Sequence, residues 1–145
     1  AVAEGGGGAG WGAHVVEERW GGDWLCAGGG IWLPVHFCLH GSGAAPIEGA
    51  SAEAKAVLGG LPLGVPNLYS IDYKDQDLVR RIASALSHIR DDAIWARASL
   101  VERKDYSGPQ ISNLKVAVVD EIHALAEFYK RAAEQSRAVI FTVNE

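Results

Sequence analysis

Residues 31–43 read IWLPVHFCLHGSG, and whether they form a strand or a helix decides how the rest of the chain is assembled. Isoleucine, tryptophan, valine and phenylalanine favour a pleated surface. Alternation along residues 35–40 places His36, Cys38 and His40 on one face of a strand and Val35, Phe37 and Leu39 on the other. The expectation is a strand that ends in the turn Gly41-Ser42-Gly43, with Pro34 confining it to a sheet edge or a bulge because proline donates nothing to the ladder.

On the N-terminal side, AHVVEERW (13–20) and DWLCA (23–27) read as further strands, separated by Gly21-Gly22 and followed by Gly28-Gly29-Gly30. Residues 1–12, AVAEGGGGAGWG, lack any periodicity and are expected to be a flexible glycine-rich leader ahead of a single domain at 13–145. On the C-terminal side, SAEAKAVL (51–58) predicts a short helix and NLYSIDY (67–73) a strand. LVRRIASALSHIR (78–90) predicts an amphipathic helix capped by Asp75 or Asp77, with Leu78, Ile82, Leu86 and Ile89 at helical spacing. AIWARASLVERKDY (93–106) is expected to be a strand, followed by the turn Ser107-Gly108-Pro109. A long helix then spans residues 113–135, and RAVIFTVNE (137–145) closes the chain as a central strand.

The chain has 145 residues, 48% of them hydrophobic, enough for one domain with its own core. Net charge is -5 and the 13 Lys and Arg are scattered, which argues against a nucleic-acid partner. No run of 18 or more apolar residues is present to cross a membrane as a helix. The chain begins Ala1-Val2-Ala3 and contains no Met, as a chain processed by signal-peptide removal would. Secretion is therefore expected.

Candidate chemistry centres on the opening stretch. His36, Cys38 and His40 are candidate metal ligands, although alternate strand positions rarely bring three ligand atoms together unaided. Cys26 and Cys38, an even count twelve residues apart, are instead expected to form a disulfide across a hairpin, which suits an oxidising compartment and is a second argument for secretion, with free structural cysteines as the alternative. A nucleophilic Cys38 needs His14, His88 or His123 brought to it by the fold. Asp91-Asp92 and Glu17-Glu18 are adjacent carboxylates whose side chains diverge, so no acid-base pair is expected. The glycine runs lack the phosphate-cradle spacing. No catalytic residue and no cofactor are expected, and the chain is read as a non-enzyme. Trp11, Trp20, Trp24, Trp32 and Trp95 are expected in core and turn packing, with an exposed aromatic patch as the alternative. The dibasic pairs Arg80-Arg81 and Lys130-Arg131 fall within predicted helices and read as exposed helix charges.

Two halves of the chain match by pattern. Each gives a strand opening with Ile-Trp (Ile31-Trp32, Ile94-Trp95), a Ser-Gly turn, a helix and a further strand. The expected architecture is α+β, a two-layer sandwich with helices on one face of a mainly antiparallel sheet.

The order WLCAGGGIWLPVHF, GSG, an alanine-rich helix, SIDY, SGP, a helix and FTVNE resembles the small secreted killer toxins of fungi, of the smut-virus and salt-mediated yeast types. That resemblance implies two split β-α-β-like units and a protein that binds a target at the surface or plasma membrane of competing cells. No functional residue of those toxins maps onto a position here, and the stretches VLGGLPLG and YKRAAEQS lack the cysteines the smut toxins carry after their helices. Two alternatives stand beside it: an α/β interaction module that dimerises, and a thiol or zinc enzyme using Cys38.

Overall fold

A computed structural model describes residues 10–15, 25–29, 32–41, 50–64, 70–102 and 113–144. Residues 1–9, Glu17-Glu18, Trp20, Trp24 and the turn Ser107-Gly108-Pro109 lie outside the described residues. The elements run β1 (Gly10–Val15), β2 (Leu25–Gly29), α1 (Trp32–His40), a 3-10 turn (Glu53–Lys55), β3 (Leu61–Pro62), β4 (Ser70–Lys74), α2 (Gln76–Ser87), α3 (Asp91–Glu102), α4 (Leu114–Glu134) and β5 (Val139–Asn144). Strand β1 therefore starts inside the stretch expected to be a leader.

Residues 32–40 of the opening stretch form a helix, not a strand, and Ser42-Gly43 of the expected turn lie outside the described residues. Trp32, Val35, His36 and Leu39 are buried along one side of α1 at the i, i+3, i+4, i+7 spacing that a helix needs. Pro34 sits in the first turn, where its missing N–H has no intrahelical acceptor to lose. Gly41, at φ 95°, donates its N–H to Phe37 O at 2.7 Å. It is the left-handed cap of a helix rather than the turn after a strand. β-branched and aromatic content misled because strand propensity is a weak prior that burial on a helical stripe overrides.

The same correction applies to AIWARASLVERKDY. Its first ten residues belong to α3, where Ile94, Ala98 and Val101 are buried at i, i+4, i+7. Asp91 and Asp92 occupy the first turn, where carboxylates suit the helix dipole. Trp32 thus starts one helix and Ile94-Trp95 lies within another, so the strands expected to open the two halves of the repeat are helices. SAEAKAVL contributes only a single 3-10 turn, Glu53–Lys55.

Other expectations match the observed elements. In α2, Asp75 caps the helix by accepting the Leu78 N–H at 2.7 Å, and Leu78, Val79, Ile82, Ala83 and Leu86 are buried. Helix α4 buries Val118, Val119, Ile122, Leu125, Phe128, Tyr129 and Ala132. The sheet order is β2-β1-β5-β4-β3, with all four pairings antiparallel and β5 at the centre. Val139, Phe141 and Val143 project from one face of β5 into a core shared with α1, α2, α3 and α4, which gives the α+β architecture with helices over the sheet. Among the described residues, no helix is long and apolar enough to cross a membrane.

Candidate functional site

Two polar constellations stand out, one sealed in the core and one open to solvent. The sealed one begins on β4. Register places Asp72 opposite Phe141 and Lys74 opposite Val139, so both charged side chains leave β4 on the face that carries the core side chains of β5. Lys74 is wholly buried and Asp72 nearly so. Lys74 Nζ donates to Val57 O at 3.1 Å and to Gly59 O, and lies 5.1 Å from the centre of the Phe141 ring. Asp72 Oδ2 accepts the Gly59 N–H at 3.0 Å. From α4, the Tyr129 hydroxyl donates to Ala56 O.

Residues 56–59 are therefore held through three carbonyls and one amide by buried side chains. Gly60 closes the segment: a Cβ there would stand 2.5 Å from Tyr73 O, and its φ is +113°. Burial drives the Lys74 ammonium down from its ordinary 10.5 to about 7, against the attraction of Asp72, which favours the charged form. Lys74, Asp72 and Tyr129 each hold backbone groups of residues 56–59, so the cluster acts as a clamp.

The open constellation is a cleft of about 410 Å³ where α2 hands over to α3 beside the 3-10 turn. Ala85 comes from the last turn of α2, His88, Ile89 and Arg90 from the connection, Ala93 and Arg97 from α3, and Glu53 from the 3-10 turn. The α2 stripe turns Leu86 into the core and leaves Ala85 and His88 outward, while in α3 the buried positions Ile94 and Ala98 leave Arg97 half-exposed at the surface. Arg97 Nη1 lies 3.5 Å from Glu53 Oε1, with side chains 38% and 23% exposed. Arg90 Nη2 lies 3.2 Å from Asp92 Oδ2, and both are largely solvated. His88 Nδ1 is 2.6 Å from Ser84 O, a carbonyl that only accepts, so the Nδ1 proton is committed there.

The residues singled out from sequence lie elsewhere. His36 and His40 stack on successive turns of α1 at 5.1 Å between ring centres, and Cys38 is about 200° around the helix from His36. The shared face required for a metal trio existed only in the strand reading. Among the described residues, no group of three His, Cys, Asp or Glu is placed to hold a metal ion.

Cys38 is a free thiol rather than half of a bridge to Cys26. Its Sγ lies 4.0 Å from Ile94 O. Burial pushes it up to about 11, with the Arg97 charge opposing, so it stays protonated. His14 lies in β1, and His123 Nε2 is engaged by Asp91 Oδ1 at 2.9 Å. Trp32 is core, while Trp95 is exposed with Lys115 Nζ 5.4 Å above its ring. Arg80 and Arg81 pair with Asp77 on the surface of α2, and Lys130 and Arg131 are exposed on α4.

Arg97, Glu53 and Lys74 escaped the sequence reading. Arg97 fell in a segment read as a strand, where its neighbours on a helix face were invisible. Helical spacing Arg90…Ala93…Arg97, i, i+3, i+7, is the signal that would have found the cationic edge.

Comparison with known proteins fixes the family. The crystal structure titled as that of a protein of unknown function, YfbM from Escherichia coli, is similar with a TM-score of 0.68 at 16% identity, covering 93% of this chain and 99% of that one. At that identity the likeness establishes a shared fold. No curated protein matches the sequence. The family model described as a domain of unknown function, DUF1877, matches residues 27–142. The likeness to fungal killer toxins is overturned by these matches. It rested on element order and short glycine signatures, and two of its strands are helices. The toxin reading tied to it falls as well; the Cys26–Cys38 bridge falls separately, because Cys38 is a free thiol, and with it goes one of the two arguments for secretion. The chain belongs to the DUF1877 family.

Proposed function

We propose that this protein is a binding protein for small organic anions, which seat in the cleft between α2, α3 and the 3-10 turn. The observation that carries this reading is the convergence of Arg97, Arg90 and His88 on one concave surface of a chain whose net charge is -5. Glu53 offsets one of these arginines and Asp92 the other, so an incoming anion would bind by taking guanidinium donors from partly solvated, exchangeable pairs. The volume of about 410 Å³ lies within the range of roughly 300–1,000 Å³ usual for small-molecule sites. Ala85, Ile89 and Ala93 supply an apolar wall for the ligand's body.

The thiol-enzyme alternative is disfavoured by the protonated, buried state of Cys38. A dimerising module finds one supporting feature, the exposed Trp95 beside Lys115, and concentration-dependent sedimentation is its test.

Thermal unfolding with and without sodium hexanoate, against sodium chloride at equal ionic strength, tests the anion reading. Hexanoate is expected to raise Tm by an increment that grows with its concentration, as for any ligand that binds only the folded state. The increment is expected to vanish in Arg97→Met. Equal increments in the two proteins would reject the cleft as the binding site.

A further inference from the structure

An anion entering this cleft meets a carboxylate that the chain already places there. Glu53 touches Arg97 at 3.5 Å through one oxygen, well beyond the roughly 2.7–2.9 Å of a well-formed guanidinium–carboxylate bond. The contact is partly solvated, the side chains being 38% and 23% exposed, and single-oxygen, so only a modest free energy holds it. Its backbone, by contrast, is anchored just downstream: Tyr129, Lys74 and Asp72 grip residues 56–59. The Glu53 side chain can therefore leave Arg97 by rotamer change alone, while its stem stays in place at high local concentration.

The lining shows what the displacing group should look like. Among the described residues, the lining besides Glu53 is two arginines, one histidine and three aliphatic residues, with no hydroxyl or amide side chain. The resident occupant is itself a carboxylate on a short methylene stem.

We infer that Glu53 is a tethered competitor for Arg97 and that the cleft's ligands are aliphatic monocarboxylates, which displace Glu53 and lay their hydrocarbon against Ala85, Ile89 and Ala93. This inference rests on the reading of the cleft as an anion site. Its signature is counterintuitive: taking a carboxylate away from the lining, with the arginines and the aliphatic wall untouched, strengthens binding of another carboxylate.

Calorimetric titration of hexanoate, and separately of inorganic phosphate, into wild type, Glu53→Gln and Arg97→Met tests it, with each variant's fold checked by circular dichroism. Glu53→Gln is expected to bind hexanoate about twofold to fivefold more tightly than wild type. Arg97→Met is expected to bind it at least about tenfold more weakly. Phosphate is expected to bind more weakly than hexanoate to wild type and to Glu53→Gln. If Glu53→Gln binds hexanoate no better than wild type while Arg97→Met still loses it, the competitor role is overturned and the cleft stands. Phosphate binding as tightly as hexanoate overturns the ligand class. Failure of hexanoate to bind either wild type or Glu53→Gln overturns the cleft reading itself.

Discussion

The Lys74–Asp72 clamp and the Arg97–Glu53 cleft are built from the same ingredients, a cation and a carboxylate beside the segment that follows α1, yet they do opposite jobs. In the clamp both charges are buried and their partners are backbone carbonyls and an amide, groups that cannot leave. In the cleft each charge is partly wet and the partner is a side chain, a group that can. Desolvation makes the first costly to break and turns it into architecture, because an orphaned buried charge has nowhere to go. Solvent makes the second cheap to exchange, which a binding site requires. Residue type alone does not distinguish a structural ion from a functional one; burial and the identity of the partner do.

Variants that break the clamp should cost most. Lys74→Ala leaves the carbonyls of Val57 and Gly59 without their buried donor, and a loss of about 2–5 kcal/mol is expected in urea unfolding. Arg97→Met, the equivalent change in the cleft, is expected to cost less than about 1 kcal/mol. Similar costs for the two would erase the distinction. Tyr129→Phe removes the hydroxyl that satisfies buried Ala56 O, and about 1–3 kcal/mol is expected to go with it.

Proton linkage gives a smaller, signed effect. Folded Lys74 releases its proton near pH 7 and unfolded Lys74 near 10.5, so the unfolded chain holds more protons in that window and stability should climb with pH across it. Cys38 acts in reverse: the folded thiol titrates near 11 and the unfolded one near 9.0, so above pH 9 the folded chain holds more protons and stability should fall. Between pH 7 and 9 the unfolding midpoint of wild type should rise relative to that of Lys74→Met, in which the Cys38 effect remains; parallel curves would refute the buried-amine assignment. Smallest of all, Glu53→Gln should shift the unfolding free energy by less than about 1 kcal/mol, separating its small structural weight from its effect on binding.

Sequence periodicity reached part of this. The class, the amphipathic α2 with its Asp75 cap, the long α4 and the central β5 were legible because each has an unambiguous repeat of about 3.6 or 2 residues. Helices α1 and α3 were not, since VHFCLH and AIWARASLVE carry strand-like residues whose helical stripe shows only once the buried positions are known. The cleft was illegible for a further reason. Glu53 and Arg97 are 44 residues apart, and no local pattern announces that α3 brings its arginine to the 3-10 turn. Lys74 reads as one more polar residue beside Asp72 and Tyr73; only the register with β5 shows that it points inward.

Backbone amide mapping of hexanoate binding by heteronuclear NMR bears most directly on the contrast between cleft and clamp. Saturable shifts are expected at Glu53, Ala85, His88 to Ala93 and Arg97, with the amides of Ala56, Val57 and Gly59 unmoved because the clamp holds them. Saturable shifts centred elsewhere, or none, would contradict the assignment of the cleft as the site at which this protein binds organic anions.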